Sequence, residues 1–299
     1  MKGMSFFIHM KYIKKIAALF LLTSMLTSLH ACSKKPEPTV NPYEGMVQVS
    51  NGMGGLMWAP IYENLALNNY DSASFYSDGS FINYEDPNFQ VMRGIDVSVH
   101  QESINWELVA DDGISFAMIR AGYRGYTVGQ LNTDETFYQN IEGALAAGLK
   151  VGVYFFSQAV TADEAVEEAD FLLSLIEDYD ISMPVAFDWE YVESENGARS
   201  DDISGDVLTR CARAFCDRIR SAGYDPAVYF DKRLGYYEYN LDQLSDVKFW
   251  VVALGESPDF YYDHYMWQYS FTGQVSGINM DVDLNLCFVQ SDSVSSEIA

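Results

Sequence analysis

Residues 148–190 read GLKVGVYFFSQAVTADEAVEEADFLLSLIEDYDISMPVAFDWE. The apolar run Val151–Phe156 is short and rich in β-branched and aromatic residues, which predicts a strand. From Asp163 to Asp178, Ala165, Ala169, Leu172, Leu173 and Ile176 recur on one face of a helix. Thr161 with Glu164 forms a capping box at its start. A second apolar run, Pro184–Phe187, then ends in Asp188-Trp189-Glu190. Strand, helix, strand predicts two parallel strands joined by a crossover helix.

The same alternation extends both ways. Further strands are predicted at Gly94–Val97, Ser115–Arg120, Ala227–Phe230, Phe249–Ala253, Tyr265–Tyr269 and Val282–Phe288. A second amphipathic helix runs from Asp206 to Ala222, with Val207, Leu208, Cys211, Phe215 and Ile219 on one face. Gly148 and Gly223 stand where helix-capping glycines are expected. Eight strands in about 200 residues fit one closed, TIM-like α/β barrel better than two domains. Little helix is predicted between the last three strands.

Before the barrel, the chain divides into three parts. In residues 1–31, Lys11, Lys14 and Lys15 precede a mostly apolar stretch, Ile16–Leu29, which is too short to span a bilayer. It ends in Leu29-His30-Ala31-Cys32, resembling a bacterial lipobox in which Cys32 becomes the lipidated mature N-terminus. An ordinary secretory signal is the alternative. Residues 32–45 hold three prolines and no periodicity and read as a tether. Residues 46–91 are rich in Gly, Asn, Ser and Tyr; they form an extension with at most a short hairpin and no assigned chemistry. Residues 92–291 form the barrel, and 292–299 a tail.

The chain carries 18 basic and 43 acidic residues, a net charge of −25. Removal of residues 1–31 leaves 14 and 43, a net of −29. Nothing in that balance offers a phosphate backbone a basic surface, so a nucleic-acid partner is excluded. At 48% hydrophobic, the chain is also too apolar for a disordered acidic tail. Cys211, Cys216 and Cys287 cannot all pair within one chain, have no metal-ligand spacing, and read as small buried side chains.

In a βα barrel the chemistry sits at the C-terminal strand ends. Apolar strands deliver Asp96, Asp188, Glu190 and Asp283 to one mouth. Asp188 and Glu190 are two apart, so they share one side of an extended strand. Two carboxylates facing one cleft push each other's proton affinities apart, leaving one protonated and one ionised, as glycoside hydrolysis requires. A lone Asp at a strand end is more often a turn or helix cap. A hard cation is the rival use of clustered carboxylates, but EF-hand spacing is absent and no histidine is placed with these acids, so no metal is assigned.

Taken in order, the stretches resemble the glycoside hydrolase family 25 muramidases, the Chalaropsis-type lysozymes. They are GIDVSxHQ at Gly94–Gln101, INW at Ile104–Trp106, FAMIRA at Phe116–Ala121 and GxKVGVYFFSQA at Gly148–Ala159. FDWE at Phe187–Glu190, WQYS at Trp267–Ser270 and VDLN at Val282–Asn285 complete the set. The resemblance implies a (β/α)5β3 barrel that cleaves the β-1,4 bond between N-acetylmuramic acid and N-acetylglucosamine. It implies Glu190 as general acid and Asp188 as its partner, holding the substrate N-acetyl group or acting as base or nucleophile. Asp96 and Asp283 match the supporting acids, and Tyr154 the strand-three tyrosine. Two departures stand out: Phe155 replaces a common histidine, and Arg120–Gly125 replaces a common Lys-Ala-Thr-Glu-Gly stretch. Both bear on sugar contacts and loop shape.

Trp189, Tyr123, Tyr126, Trp267 and Tyr269 are candidates to present ring faces to sugars, with Trp267 and Tyr154 placed first; most rings in a chain this aromatic simply pack. The expectation is an exported, lipid-anchored monomeric lysozyme acting on peptidoglycan glycan strands without a cofactor. A non-catalytic glycan-binding lipoprotein and a hydrolase of another acetamido polymer, such as chitin, are the alternatives.

Overall fold

A computed structural model of the protein describes residues 41–51 and 54–291. The expected signal peptide, Cys32, most of the expected tether and the tail lie outside the described residues. Among the described residues no helix is long and apolar enough to cross a membrane.

Eight strands close into a ring: β1 (Phe89–Val97), β2 (Phe116–Arg124), β3 (Lys150–Ser157), β4 (Val185–Trp189), β5 (Pro226–Asp231), β6 (Lys248–Val252), β7 (Met266–Gly273) and β8 (Val282–Gln290). Neighbours from β1 to β7 are parallel. The eighth strand runs antiparallel to both β7 and β1 and seals the ring between them. Its direction follows from its connection: residues 274–281 form a short non-helical link, which permits a reversal but not a crossover.

Side chains alternate across each strand, and the ring sorts them into two cores. Phe116, Met118, Tyr154, Ala186, Tyr229, Trp250, Met266 and Cys287 fill the inside. Ile95, Val97, Val153, Phe155, Val185, Phe187, Trp267 and Leu286 face outward under the helices. Gly94 points into the ring where any Cβ would fall 2.2 Å from the Phe116 ring. A side chain there would evict the ring that packs beneath Asp96.

The helices are α1 (Trp106–Asp111), α2 (Phe137–Ala146), α3 (Ala162–Ile176) and α4 (Gly205–Ser221). The apolar faces of the last two are buried at Ala165, Ala169, Leu172 and Ile176, and at Leu208, Cys211, Phe215 and Ile219. Gly148 and Gly223 take positive φ of +80° and +91° at helix ends, conformations open to glycine. The start of α3 departs from a capping box. Thr161 Oγ1 accepts from Glu164 N at 3.2 Å, but the Glu164 carboxylate accepts from Val160 N, 2.8 Å away, not from Thr161.

The extension differs most from expectation. Residues 45–91 hold two hairpins, Met46–Ser50 with Leu56–Pro60 and Phe75–Ser77 with Ile82–Tyr84, and they form one compact unit with the barrel. The first barrel strand begins at Phe89, inside the stretch expected to be extension. Asn68 Nδ2 donates to Phe260 O at 2.9 Å, Tyr262 OH to Pro60 O at 2.8 Å, and Tyr70 OH to His264 O. The Tyr70 ring stacks on Phe288, centroids 4.2 Å apart. Single apolar residues such as Val49, Phe81 and Tyr84 are buried one at a time, so no period marks the segment. Tyr70→Ala should lower unfolding stability by about 3 kcal/mol, as for large aromatic truncations. An unchanged urea midpoint would show that the extension contributes nothing to the barrel's stability.

Candidate active site

Inward alternation and the reversed β8 bring the four acids together. Asp96 lies near the end of β1, Asp188 near the end of β4 with Glu190 just past it, and Asp283 near the start of β8. Because β8 runs backwards, its start lies at the same mouth as the other strands' ends, and Asp283 is the register partner of Asp96. The four line a cavity of about 710 Å³ with Arg120, Tyr123, Tyr154, Tyr229 and Trp250.

A polar floor holds Asp96. Its Oδ2 accepts from Gln268 Nε2 at 2.7 Å and from Asn285 Nδ2 at 2.8 Å. Asn285 Oδ1 accepts from Trp250 Nε1 at 2.8 Å, and Gln268 Oε1 from Tyr229 OH at 2.9 Å. Each amide is thereby pinned at both ends, which leaves Asp96 little freedom to turn. Asp96 also bonds Asp283, and Asp188 bonds Glu190. Asp188 Oδ1 is buried and has no hydrogen-bond partner. An orphaned buried acceptor is costly unless a ligand donor meets it.

The nearest cation is restrained. Arg120 donates from Nε to Asp134 Oδ2 at 2.8 Å and lies over the Tyr123 ring at 5.6 Å. Asp134 is buried and accepts from Val99 N at 3.1 Å.

Burial raises the proton affinity of all four acids. Glu190 is pushed up to about 7, first by desolvation and then by the charges of Asp231 and Asp96. Asp283 is pushed up to about 9 by desolvation, then by its neighbour Asp96. Asp188 rises through burial and the Glu190 charge, with Arg120 opposing. Asp188 and Glu190 both hold their protons more tightly than free carboxyls, and as hydrogen-bonded neighbours they titrate as a unit. The shift of Asp283 is also a stability statement. Its folded affinity lies above the unfolded carboxylate's, about 3.9, so the unfolded state releases this proton first. Stability from this group is full below about pH 4 and is lost as pH rises toward 9. Asp283→Asn, which mimics the protonated form, should raise the urea midpoint at pH 8 relative to wild type and narrow that gain at pH 4. Equal midpoints at both would contradict the shift.

Of the sequence candidates, the cleft gathers Asp96, Asp188, Glu190, Asp283, Tyr154, Tyr123 and Tyr126. Trp189, Trp267 and Tyr269 are not among its lining residues. Trp189 sits between two inward acids, and Trp267 and Tyr269 flank the inward Gln268, so all three point out of the ring. Trp267 is fully buried and donates from Nε1 to Ala253 O at 2.7 Å. Phe155 also faces outward, against Phe171 at 6.2 Å, so its exchange for histidine leaves sugar contacts untouched. Residues missed are Trp250, Tyr229, Gln268 and Asn285, all visible to strict alternation along their strands. His100, set aside in the sequence, lines the mouth. Cys211, Cys216 and Cys287 are free and buried. Among the described residues no three His, Cys, Asp or Glu side chains are grouped to hold a metal ion.

Residues 95–278 match the family model described as glycosyl hydrolases family 25. The chain is similar to the autolytic lysozyme of Clostridium acetobutylicum, 31% identical over 196 residues, covering 65% of this chain and 55% of that protein. It is 30% identical to lysozyme M1 of Streptomyces globisporus over 207 residues, 65% of this chain and 67% of the relative. The match thus spans little more than half the length of the clostridial protein. Among solved structures, the bacterial lysozyme of Streptomyces coelicolor superposes with a TM-score of 0.54 at 25% identity, covering 68% of this chain and 94% of that one. The ordered acids on a closed eight-stranded α/β barrel, together with a family match over most of the chain, place this protein in glycosyl hydrolases family 25.

Proposed function

We propose that this chain is a muramidase that hydrolyses the β-1,4 bond between N-acetylmuramic acid and N-acetylglucosamine in peptidoglycan. The observation that carries the reading is the pairing of Asp188 with Glu190, two acids whose proton affinities are both raised, at the wall of one cleft. A glycosidic oxygen is a weak base and leaves only as it gains a proton. Glu190, the less buried of the two, delivers that proton. Asp188 then carries the negative charge and faces the positive charge developing at the sugar, or holds the substrate acetamido group. Asp96 and Asp283 orient the pair, and the charge of Asp96 holds its affinity high. Tyr154, Tyr229 and Trp250 supply the apolar floor.

In this reading the barrel has the (β/α)5β3 arrangement, and the enzyme is exported and held to a membrane through lipidated Cys32, acting as a monomer. Incubation with purified peptidoglycan should release reducing ends, and mass spectrometry should find N-acetylmuramic acid at them. Equal or better release from chitin would shift the substrate. Binding without release would leave a glycan-binding protein. Cys32→Ala should move the protein from the detergent-rich to the aqueous phase on partitioning, with the activity of the purified domain unchanged. Unaltered partitioning would remove the anchor.

A further inference from the structure

Glu190 lies one residue past the ladder with β3 and two past the ladder with β5. The last register partners of β4 are Trp189 with Ser157 on β3 and Asp188 with Tyr229 on β5. Its carbonyl is gripped instead by a side chain. Gln158 Nε2 donates to Glu190 O at 3.0 Å and to Ser157 O at 2.9 Å. The Gln158 amide oxygen accepts from Ser200 Oγ at 2.5 Å, and its main-chain carbonyl from an Arg199 guanidinium nitrogen at 2.7 Å. Arg199 continues to the Glu164 carboxylate at 3.0 Å. Gln158 is fully buried. Two carbonyls can only accept, so the amide nitrogen must face them, and every polar contact of the side chain is accounted for.

We propose that Gln158 is a positioning residue for the proton donor: its amide replaces the missing ladder bond and fixes the main chain from which the Glu190 carboxyl reaches Asp188. The inference rests on the muramidase reading for its kinetic arm. Asp188 on the same strand, Asp96 from β1, Asp231 from β5 and Asp283 from β8 are the acids facing Glu190, and Arg120 from β2 is the cation facing the pair. The Gln158 side chain makes no hydrogen bond to any of them. Its loss alters where Glu190 sits among these charges, not the charges themselves.

Gln158→Met keeps the length and removes both donors. Ser200→Ala removes only the hydroxyl on the amide's far side. Each is compared with wild type in kcat and KM on peptidoglycan, in thermal melting, and in a carbon-13 NMR titration of the Glu190 carboxyl without substrate. Gln158→Met should lower kcat on the order of tenfold or more, since small misplacements of a catalytic group are severe, with KM changed by less than about twofold. The Glu190 titration should move to lower pH as the carboxyl gains water. Ser200→Ala should keep most of the kcat and the wild-type titration. Gln158→Leu, uncharged and without amide protons, gives the same comparison if the methionine variant does not fold. Wild-type kcat with an unmoved titration would overturn the proposal, as would equal kcat losses in the two variants at equal melting temperatures. A wild type that releases no reducing ends would end the muramidase reading, and the titration alone would then decide whether Gln158 places Glu190.

Discussion

Glu190→Gln should lower release of reducing ends from peptidoglycan by about 10²–10⁴-fold, the usual contribution of a positioned general acid. Glutamine matches glutamate in size and hydrogen-bonding reach but has no proton to give. Glycan binding should survive, because the tyrosines and Trp250 of the cleft are untouched. Folding should survive as well, and stability at neutral pH should rise. The wild-type carboxyl, pushed up to about 7, resists ionisation in its buried place, and the amide removes that opposition. A folded variant with near wild-type turnover would return the acid's role to Asp188 or Asp283. Circular dichroism beside the assay separates loss of chemistry from loss of structure.

Asp188→Asn should lower turnover by about 10²–10³-fold, the scale for removing a preorganised electrostatic partner of the transition state. Its pH profile tells more than its rate. Wild-type activity should fall at alkaline pH as the pair loses its last proton. In the variant, Glu190 titrates without a like charge beside it, so the alkaline limb of the residual activity moves to lower pH. An unmoved limb would mean the two carboxyls do not titrate as a unit.

Much of this site was legible because strands alternate. Asp188 and Glu190 are two apart on an apolar run, and that alone put both on one side. The same rule, carried one residue further, excludes Trp189; applied to Gln268, it excludes Trp267 and Tyr269. Residue type alone suggests those rings for sugar contacts, but parity places them outside the ring. Trp250 and Tyr229 were passed over because they sit in runs that read as ordinary core. The extension was illegible for another reason. Tyr70, Asn68 and Tyr262 act through long-range contacts, and isolated buried residues leave no periodic trace. The grip of Gln158 on Glu190 was likewise hidden, since it joins the end of one strand to the end of the next through a side chain.

The reversed eighth strand also sets the order in which the cleft comes into being during synthesis. Asp96 emerges early, yet its hydrogen-bond donors Gln268 and Asn285 and its neighbour Asp283 are among the last barrel residues to emerge. Ring closure joins the chain's most distant strands, the slowest kind of contact to form. A nascent or truncated chain ending before Val282 thus has the Asp188–Glu190 pair on β4 but lacks Asn285 and Asp283, which stand beside Asp96. The last strand therefore completes both the barrel and the set of four acids.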